Sequence, residues 1–155
     1  MRYLIDGHNL IPKIKNLSLQ DVDDEEKLIS LLNRFSTKAR AQVEVYFDNA
    51  PADSARSVKI GAIKVHFIKS GSSADAALID RMRRMGTFQK GISIVSSDHV
   101  IQNEARRMKF KVIPAGEFAL KMENELSRSR KNITKDPGLN TGEIEEWLKL
   151  FDKGK

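Results

Sequence analysis

Short apolar, β-branched runs alternate with amphipathic helical stretches along this chain, and an acidic residue stands just past most of those runs. Arg2 to Ile5 leads into Asp6, Val43 to Phe47 into Asp48, and Ile92 to Val95 reaches Asp98 after two serines. The run Ile63 to Ile68 is followed by a Gly/Ser turn and then Asp75. Alternation of this kind predicts βα units and a mainly parallel sheet, an α/β fold. In such sheets ligand sites form outside the carboxyl ends of the strands. Four separate segments therefore bring carboxylates to one edge. Converging carboxylates repel unless a cation sits between them, and hard oxygen donors suit Mg²⁺ or Mn²⁺. The pattern points to metal-assisted phosphoryl chemistry.

A chain of 155 residues is expected to form one domain with a substantial core. Its formal net charge is +6 although the proposed site is acidic. That combination suits an enzyme acting on a polyanion, and a lysine-rich surface explains the charge equally well. There is no cysteine, which excludes disulfides, thiolate zinc sites and a Cys nucleophile and fits a reducing cytosol. The N-terminus runs straight into Tyr3-Leu4-Ile5-Asp6, without the longer apolar stretch of a signal peptide, and no run approaches transmembrane length. A cytoplasmic protein with no membrane partner is expected.

The apolar spacing also orders the elements. After the first strand comes a loop with Pro12, then the acid-rich start Asp21, Asp23, Asp24, Glu25, Glu26 of a helix carrying Leu28, Leu32, Phe35 and Ala39. Acids there suit the positive end of the helix dipole, so this run reads as capping rather than as a metal site. Ala41 to Phe47 is the second strand and Ile63 to Ile68 the third, followed by a helix carrying Ala74, Leu78, Met82 and Met85. Ile92 to Val95, a helix from His99 to Met108, a short strand Lys111 to Ile113 and a helix through Leu126 complete a domain of residues 1–126. Residues 127–141 are polar and basic with Pro137 and Gly138, and read as a linker. Ile144, Trp147, Leu148 and Phe151 form the apolar stripe of an amphipathic helix over 142–155, with Asn140 and Glu143 as a capping box.

Each acid also has a purely structural reading. Asp6-Gly7 is a common turn signal, Asp75 completes a capping box with Ser72-Ser73, Asp98 can cap its helix, and Asp48-Asn49 can form an Asx-turn. Position at the carboxyl ends of strands favours function for Asp6, Asp75 and Asp98, with Asn9 as an orienting group and Asp48 behind them. Asp80 reads as a solvated helix residue. His8 and His99 adjoin candidate acids, but ordinary loop or helix-start histidines are the plainer reading. Neither G-x-x-x-x-G-K-[ST], G-x-G-x-x-G nor G-x-S-x-G occurs, so ATP-dependent and serine-hydrolase readings lose support.

Tyr3-Leu4-Ile5-Asp6-Gly7-His8-Asn9-Leu10, Val45-Tyr46-Phe47-Asp48, Ser73-Ala74-Asp75 and Val95-Ser96-Ser97-Asp98 together resemble the NYN domains, and within them the bacterial YacP-like branch of the PIN-like nuclease superfamily. The resemblance covers roughly residues 1–126. It implies a Rossmann-like three-layer α/β/α PIN-like fold and a metal-dependent endoribonuclease of the kind that associates with ribosomes. Motif by motif, it implies catalytic roles for Asp6, Asn9, Asp75 and Asp98, with Asp6, Asp75 and Asp98 binding Mg²⁺ or Mn²⁺; Asp48, from its place after the second strand, is a further ligand candidate. His8 stands where a Tyr is frequent in the family, which puts any stacking role of that Tyr in doubt here.

The expected reaction is hydrolysis of RNA phosphodiester bonds, with single-stranded mRNA and the ribosome as partners. Arg81, Arg84, Arg106, Arg107 and Lys109 are candidates to hold the RNA backbone; Arg83 belongs to the same clusters, and each cluster reads equally as a solvated helix face. The alternatives are a non-catalytic RNA- or ribosome-binding module, which need not keep all the acids, and a Rossmann-like phosphatase, whose D-x-D pattern is missing because His8 follows Asp6 two positions on.

Overall fold

The structure is a computed structural model that describes residues 1–134, apart from 16, 21, 52 and 87–89. Six strands, β1 (Arg2–Asp6), β2 (Gln42–Ala50), β3 (Arg56–Ile60), β4 (Ile63–Lys69), β5 (Ile92–Val95) and β6 (Lys111–Ile113), form one sheet in the order β3-β4-β2-β1-β5-β6. All pairs are parallel except β3 with β4. The helices are α1 (Gly7–Leu10), α2 (Asp24–Ala39), α3 (Ala74–Met85), α4 (His99–Arg107) and α5 (Ala115–Thr134). No helix among the described residues is long and apolar enough to cross a membrane.

A parallel strand needs a crossover that returns over a face of the sheet, so helices cover both faces and the central strands are apolar on both sides. In β1 successive side chains alternate between two cores. Tyr3 and Ile5 join Leu28, Leu32, Phe35, Phe118 and Met122 beneath α2 and α5. Leu4 joins Leu78, Met82, Ile94, Ile101 and Ala105 beneath α3 and α4. Tyr3, Phe35 and Phe118 meet with ring centroids 5.1–5.7 Å apart, the tilted geometry aromatic pairs prefer. These layers are the expected three-layer α/β/α arrangement.

Three elements differ from the sequence reading. The stretch after Asp6 is not a plain loop: Gly7–Leu10 makes a short helix that buries Leu10. A Cβ on Gly7 would collide with the ring of the fully buried Phe47, so only glycine lets the chain leave β1 this close to β2. The antiparallel strand β3 was not expected. Val58 and Ile60 alternate with polar residues, and Gly61 at φ 61° makes the tight turn into β4. Finally, α5 continues through residues 127–134, part of the expected linker. That stretch contains neither Pro nor Gly to stop it, and Arg128 pairs with Glu125 one turn back at 3.1 Å. The rest of the expected linker and the amphipathic helix over 142–155 lie outside the described residues.

Candidate active site

The connections from β1 lead toward β2 and β4, whereas the chain passes from β4 through α3 to β5 on the other side of β1. This reversal of direction beside β1 opens a crevice at the carboxyl ends of β1 and β5, where α/β sheets bind ligands. Asp6 is the last residue of β1 and is only 5% exposed. Its carboxyl pKa is pushed up to about 6, first by burial and then by the charges of Asp75 and Asp48, with the backbone N–H of Asn9 opposing.

Asp75 lies in the first turn of α3, whose N-cap Ser73 accepts a hydrogen bond from the Ala76 N–H at 3.0 Å. Burial and the charges of Asp98 and Asp48 raise the Asp75 pKa as well. Ser73→Ala should therefore cost about 1 kcal/mol of stability, measured by thermal denaturation, by leaving that amide without its cap.

Asp98 is the N-cap of α4: its Oδ1 accepts from the Val100 and Ile101 amides at 2.8 and 3.2 Å. Its Oδ2 has no hydrogen-bond partner among the described residues, so capping and ligand binding can share one carboxylate. The turn before it is tied on every side. Ser96 Oγ accepts from the Asp98 N–H, Ser97 Oγ accepts from the Ala115 N–H, and Gln102 donates to the Ser96 carbonyl at 2.8 Å. Asn9 reaches across from α1, and its Oδ1 accepts the Ser97 N–H at 2.8 Å. Asn9 thus fastens the β1 exit to the β5 exit and orients the loop that presents Asp98.

Asp48 is a strand residue rather than an Asx-turn. It sits where the β2–β4 register shifts between Phe47 and Ala50, beside Asn49 at φ 64°. A bulge of this kind re-aims a side chain. Asp48 Oδ1 lies 2.6 Å from His8 Nδ1, and His8 Nε2 lies 2.6 Å from Glu25 Oε2 on α2. His8 is therefore clamped between two carboxylates and is no ordinary loop histidine. Hydrogen bonding to Glu25 is the main cause that lifts its pKa to about 9; burial opposes, and Asp48 adds to the lift. Glu25, read from the sequence as one acid of a capping run, thus reaches the site through His8. The spacing of residues 8 and 25 in sequence carries no signal of this contact.

At this edge Asp6 thus feels the charges of Asp75 and Asp48, and Asp75 those of Asp98 and Asp48. Among the described residues, no three His, Asp or Glu side chains converge closely enough to cage a metal ion by themselves. Mg²⁺ seldom needs such a cage: it keeps several waters and takes one or two carboxylates together with substrate phosphates. The oxygen donors and their mutual repulsion fit a cation on those terms.

The candidate RNA-binding residues lie elsewhere. Helices α3 and α4 start at the acidic edge and run back antiparallel to the strands. Arg84, Arg106, Arg107 and Lys109 therefore sit toward the amino ends of the strands, with Arg106 about 12 Å along α4 from Asp98. Arg84 pairs with Asp80 at 2.9 Å, and Glu104 takes Arg107 at 2.7 Å and Arg83 at 4.0 Å. Arg81 is committed to the buried Glu44 at 3.1 Å. Burial alone would raise the Glu44 pKa, but hydrogen bonds from His66 and Arg81 outweigh it and hold the group at about 2.

No curated protein sequence matches the chain. Among solved structures it is similar to Rae1 (YacP) from Bacillus subtilis, with a TM-score of 0.68 and 22% identity over 99% of this chain and 93% of that one. A single-residue variant of the same protein gives a TM-score of 0.70 and 20% identity, covering 96% and 90%. At that identity the likeness concerns the fold. The profile of the YacP-like NYN domain, however, matches residues 3–150, nearly the whole chain and the segments that bear Asp6, Asp48, Asp75 and Asp98. The chain belongs to the YacP-like NYN family.

Proposed function

We propose that this protein is a metal-dependent endoribonuclease that hydrolyses phosphodiester bonds of single-stranded RNA. The observation that carries this reading is the coupled set of acids at the carboxyl edge of the sheet, with Asp6 buried and its pKa raised to about 6 by burial and by its neighbours' charges. Membership of the YacP-like NYN family supports a nuclease-type function directed at RNA. Buried like charges cost stability, and a fold keeps them where a cation or a reacting group uses them.

Asp6, Asp75 and Asp98 would hold Mg²⁺ or Mn²⁺, with Asp48 nearby. When bound, the cation would polarise the phosphoryl oxygen and lower the pKa of a water. The chain's own contributions are positional and electrostatic. Asn9 and the Ser96-Ser97 turn keep the Asp98 carboxylate at the crevice. A carboxylate at this edge that the cation leaves free, such as Asp48, could orient the attacking water and accept its proton as the phosphorus–oxygen bond to the leaving ribose oxygen breaks. Protonated His8 offsets one of the two carboxylate charges of Asp48 and Glu25, so this trio still adds to the negative field of Asp6, Asp75 and Asp98.

The test uses end-labelled single-stranded RNA and, separately, translating ribosomes. Cleavage should require Mg²⁺ or Mn²⁺, stop with EDTA and resume on adding either cation in excess. Independently of activity, millimolar Mn²⁺ should raise the melting temperature of the native protein, because a ligand that binds only the folded state stabilises it by mass action. Cleavage indifferent to EDTA would remove the metal from the reading. Binding of RNA without any cleavage would favour a non-catalytic binding module.

A further inference from the structure

The open sheet face beside α3 carries a second polar assembly that the acidic edge does not use. Lys59 on β3 stands directly opposite Lys64 on β4, and Lys64 is in turn the register partner of Glu44 on β2. Both lysines are exposed, and neither has an acidic partner among the described residues. Like charges directly opposite across two strands destabilise a sheet, so this pair costs some stability. With Arg2, Arg81, Glu44 and Gln42 they line an open concavity of about 280 Å³. Glu44 is neutralised within it by Arg81, and among the described residues the Arg2 side chain bonds only the neutral Gln42 amide at 2.8 Å. Among the described residues, Arg2, Lys59 and Lys64 therefore leave an uncompensated charge of about +3 on one face.

That charge has a fixed place relative to the acids. Arg2 and Asp6 are the two ends of β1, about 13 Å apart along the strand. The next row on the same face is the Asp6 row itself, which continues through the buried Tyr46 and through His66 to Ser57, with His66 stacked on Tyr46 at 4.4 Å and bonded to Ser57 at 2.7 Å. The concavity is an open surface rather than a closed pocket, with Lys59 and Lys64 exposed at its β3–β4 side. Cations spread over three strands suit successive phosphates of one strand better than a single small anion.

We propose that Lys59, Lys64 and Arg2 form a phosphate-binding anchor that holds single-stranded RNA on the open β3–β4–β2 face while the same strand reaches the acidic edge. This rests on the ribonuclease reading above and names the surface that reading needs. It also separates the anchor from Arg106 and Arg107, which lie on α4.

The experiment measures the affinity of a labelled single-stranded RNA for the full chain carrying Asp6→Asn, so that binding is read without cleavage, over a series of salt concentrations. Adding Lys59→Glu and Lys64→Glu should weaken binding at least tenfold at low salt. It should also make the slope of log K against log salt shallower by about 1.4, two phosphate contacts at about 0.7 each. Lys59→Glu alone turns the repelling pair into an attracting one, so it is expected to fold and still to weaken binding. The proposal is overturned if the Asp6→Asn parent binds RNA and the double reversal leaves affinity within twofold with the same slope. It is overturned likewise if Arg106→Glu with Arg107→Glu accounts for the whole loss instead. If the Asp6→Asn parent binds no RNA at all, the ribonuclease reading itself fails, a result distinct from the other two.

Discussion

Asp6→Asn is expected to abolish RNA cleavage and, at the same time, to make the protein more stable. The activity loss follows because the variant lacks the charge that would hold a cation. The stability gain follows from linkage. The folded-state pKa of Asp6 is about 6, against an ordinary value of 3.8. A carboxyl group with a raised pKa favours folding fully only below about pH 4, where it is protonated in both states. As pH rises from about 4 to 6 the native state binds more protons than the unfolded chain, so stability falls through that window. Two units correspond to about 3 kcal/mol at most above pH 6, and asparagine, which is never charged, escapes that penalty. A net gain of about 1–3 kcal/mol at pH 7 is expected, shrinking toward zero near pH 4. Denaturant unfolding of both proteins across pH 4 to 8 measures it. Parallel stability curves with no gap at pH 7, or an active Asp6→Asn protein, would contradict the account of the site.

The second large effect lies at His8, where the sign is reversed. Its pKa rises from 6.5 to about 9 because Glu25 and Asp48 favour the protonated ring. A base raised in this way contributes stability that is complete below about pH 6.5 and is lost as pH climbs through 9. The two carboxylates are about a third exposed, so solvent screens the pair and about 2 kcal/mol is a reasonable size. His8→Ala removes the shared cation and leaves Asp48 and Glu25 facing each other beside Asp6. It should lower stability by about 2 kcal/mol at pH 7 and flatten the loss seen between pH 6.5 and 9 in the native protein. Because the clamp also ties α2 to the end of β2, cleavage should fall while metal-induced stabilisation persists. An unchanged alkaline stability profile would show that the clamp carries no charge.

The α/β layering was legible because it rests on local periodicity. Tyr3 and Ile5 face one core and Leu4 the other, and the largely apolar runs of β2 and β5, interrupted only by the buried Glu44 and Ser93, announce strands covered on both sides. The β3 strand escaped because exposed strand residues such as Arg56, Ser57 and Lys59 look like loop, and only Gly61 hints at the hairpin. The helical extension to Thr134 escaped because polarity was taken as a sign of linker, although polar residues without Pro or Gly propagate a helix readily.

What the sequence determined by itself is the placement of Asp6, Asp75 and Asp98. Each follows an apolar run directly or through a short turn, and in a parallel sheet such positions fall on the carboxyl edge whatever the rest of the chain does. Only the tertiary structure decided which charges those acids would meet. Glu25 comes to His8 because α2 crosses over the sheet and begins at that edge, and the β2 bulge turns Asp48 onto the same ring. Arg81 faces the buried Glu44 because α3 lies across β2, while Lys59 meets Lys64 through the register of a hairpin. Contacts between segments depend on register and on helix packing. A shift of one residue in β3 would send Lys59 to the opposite face, and nothing in the order of residues alone forbids it.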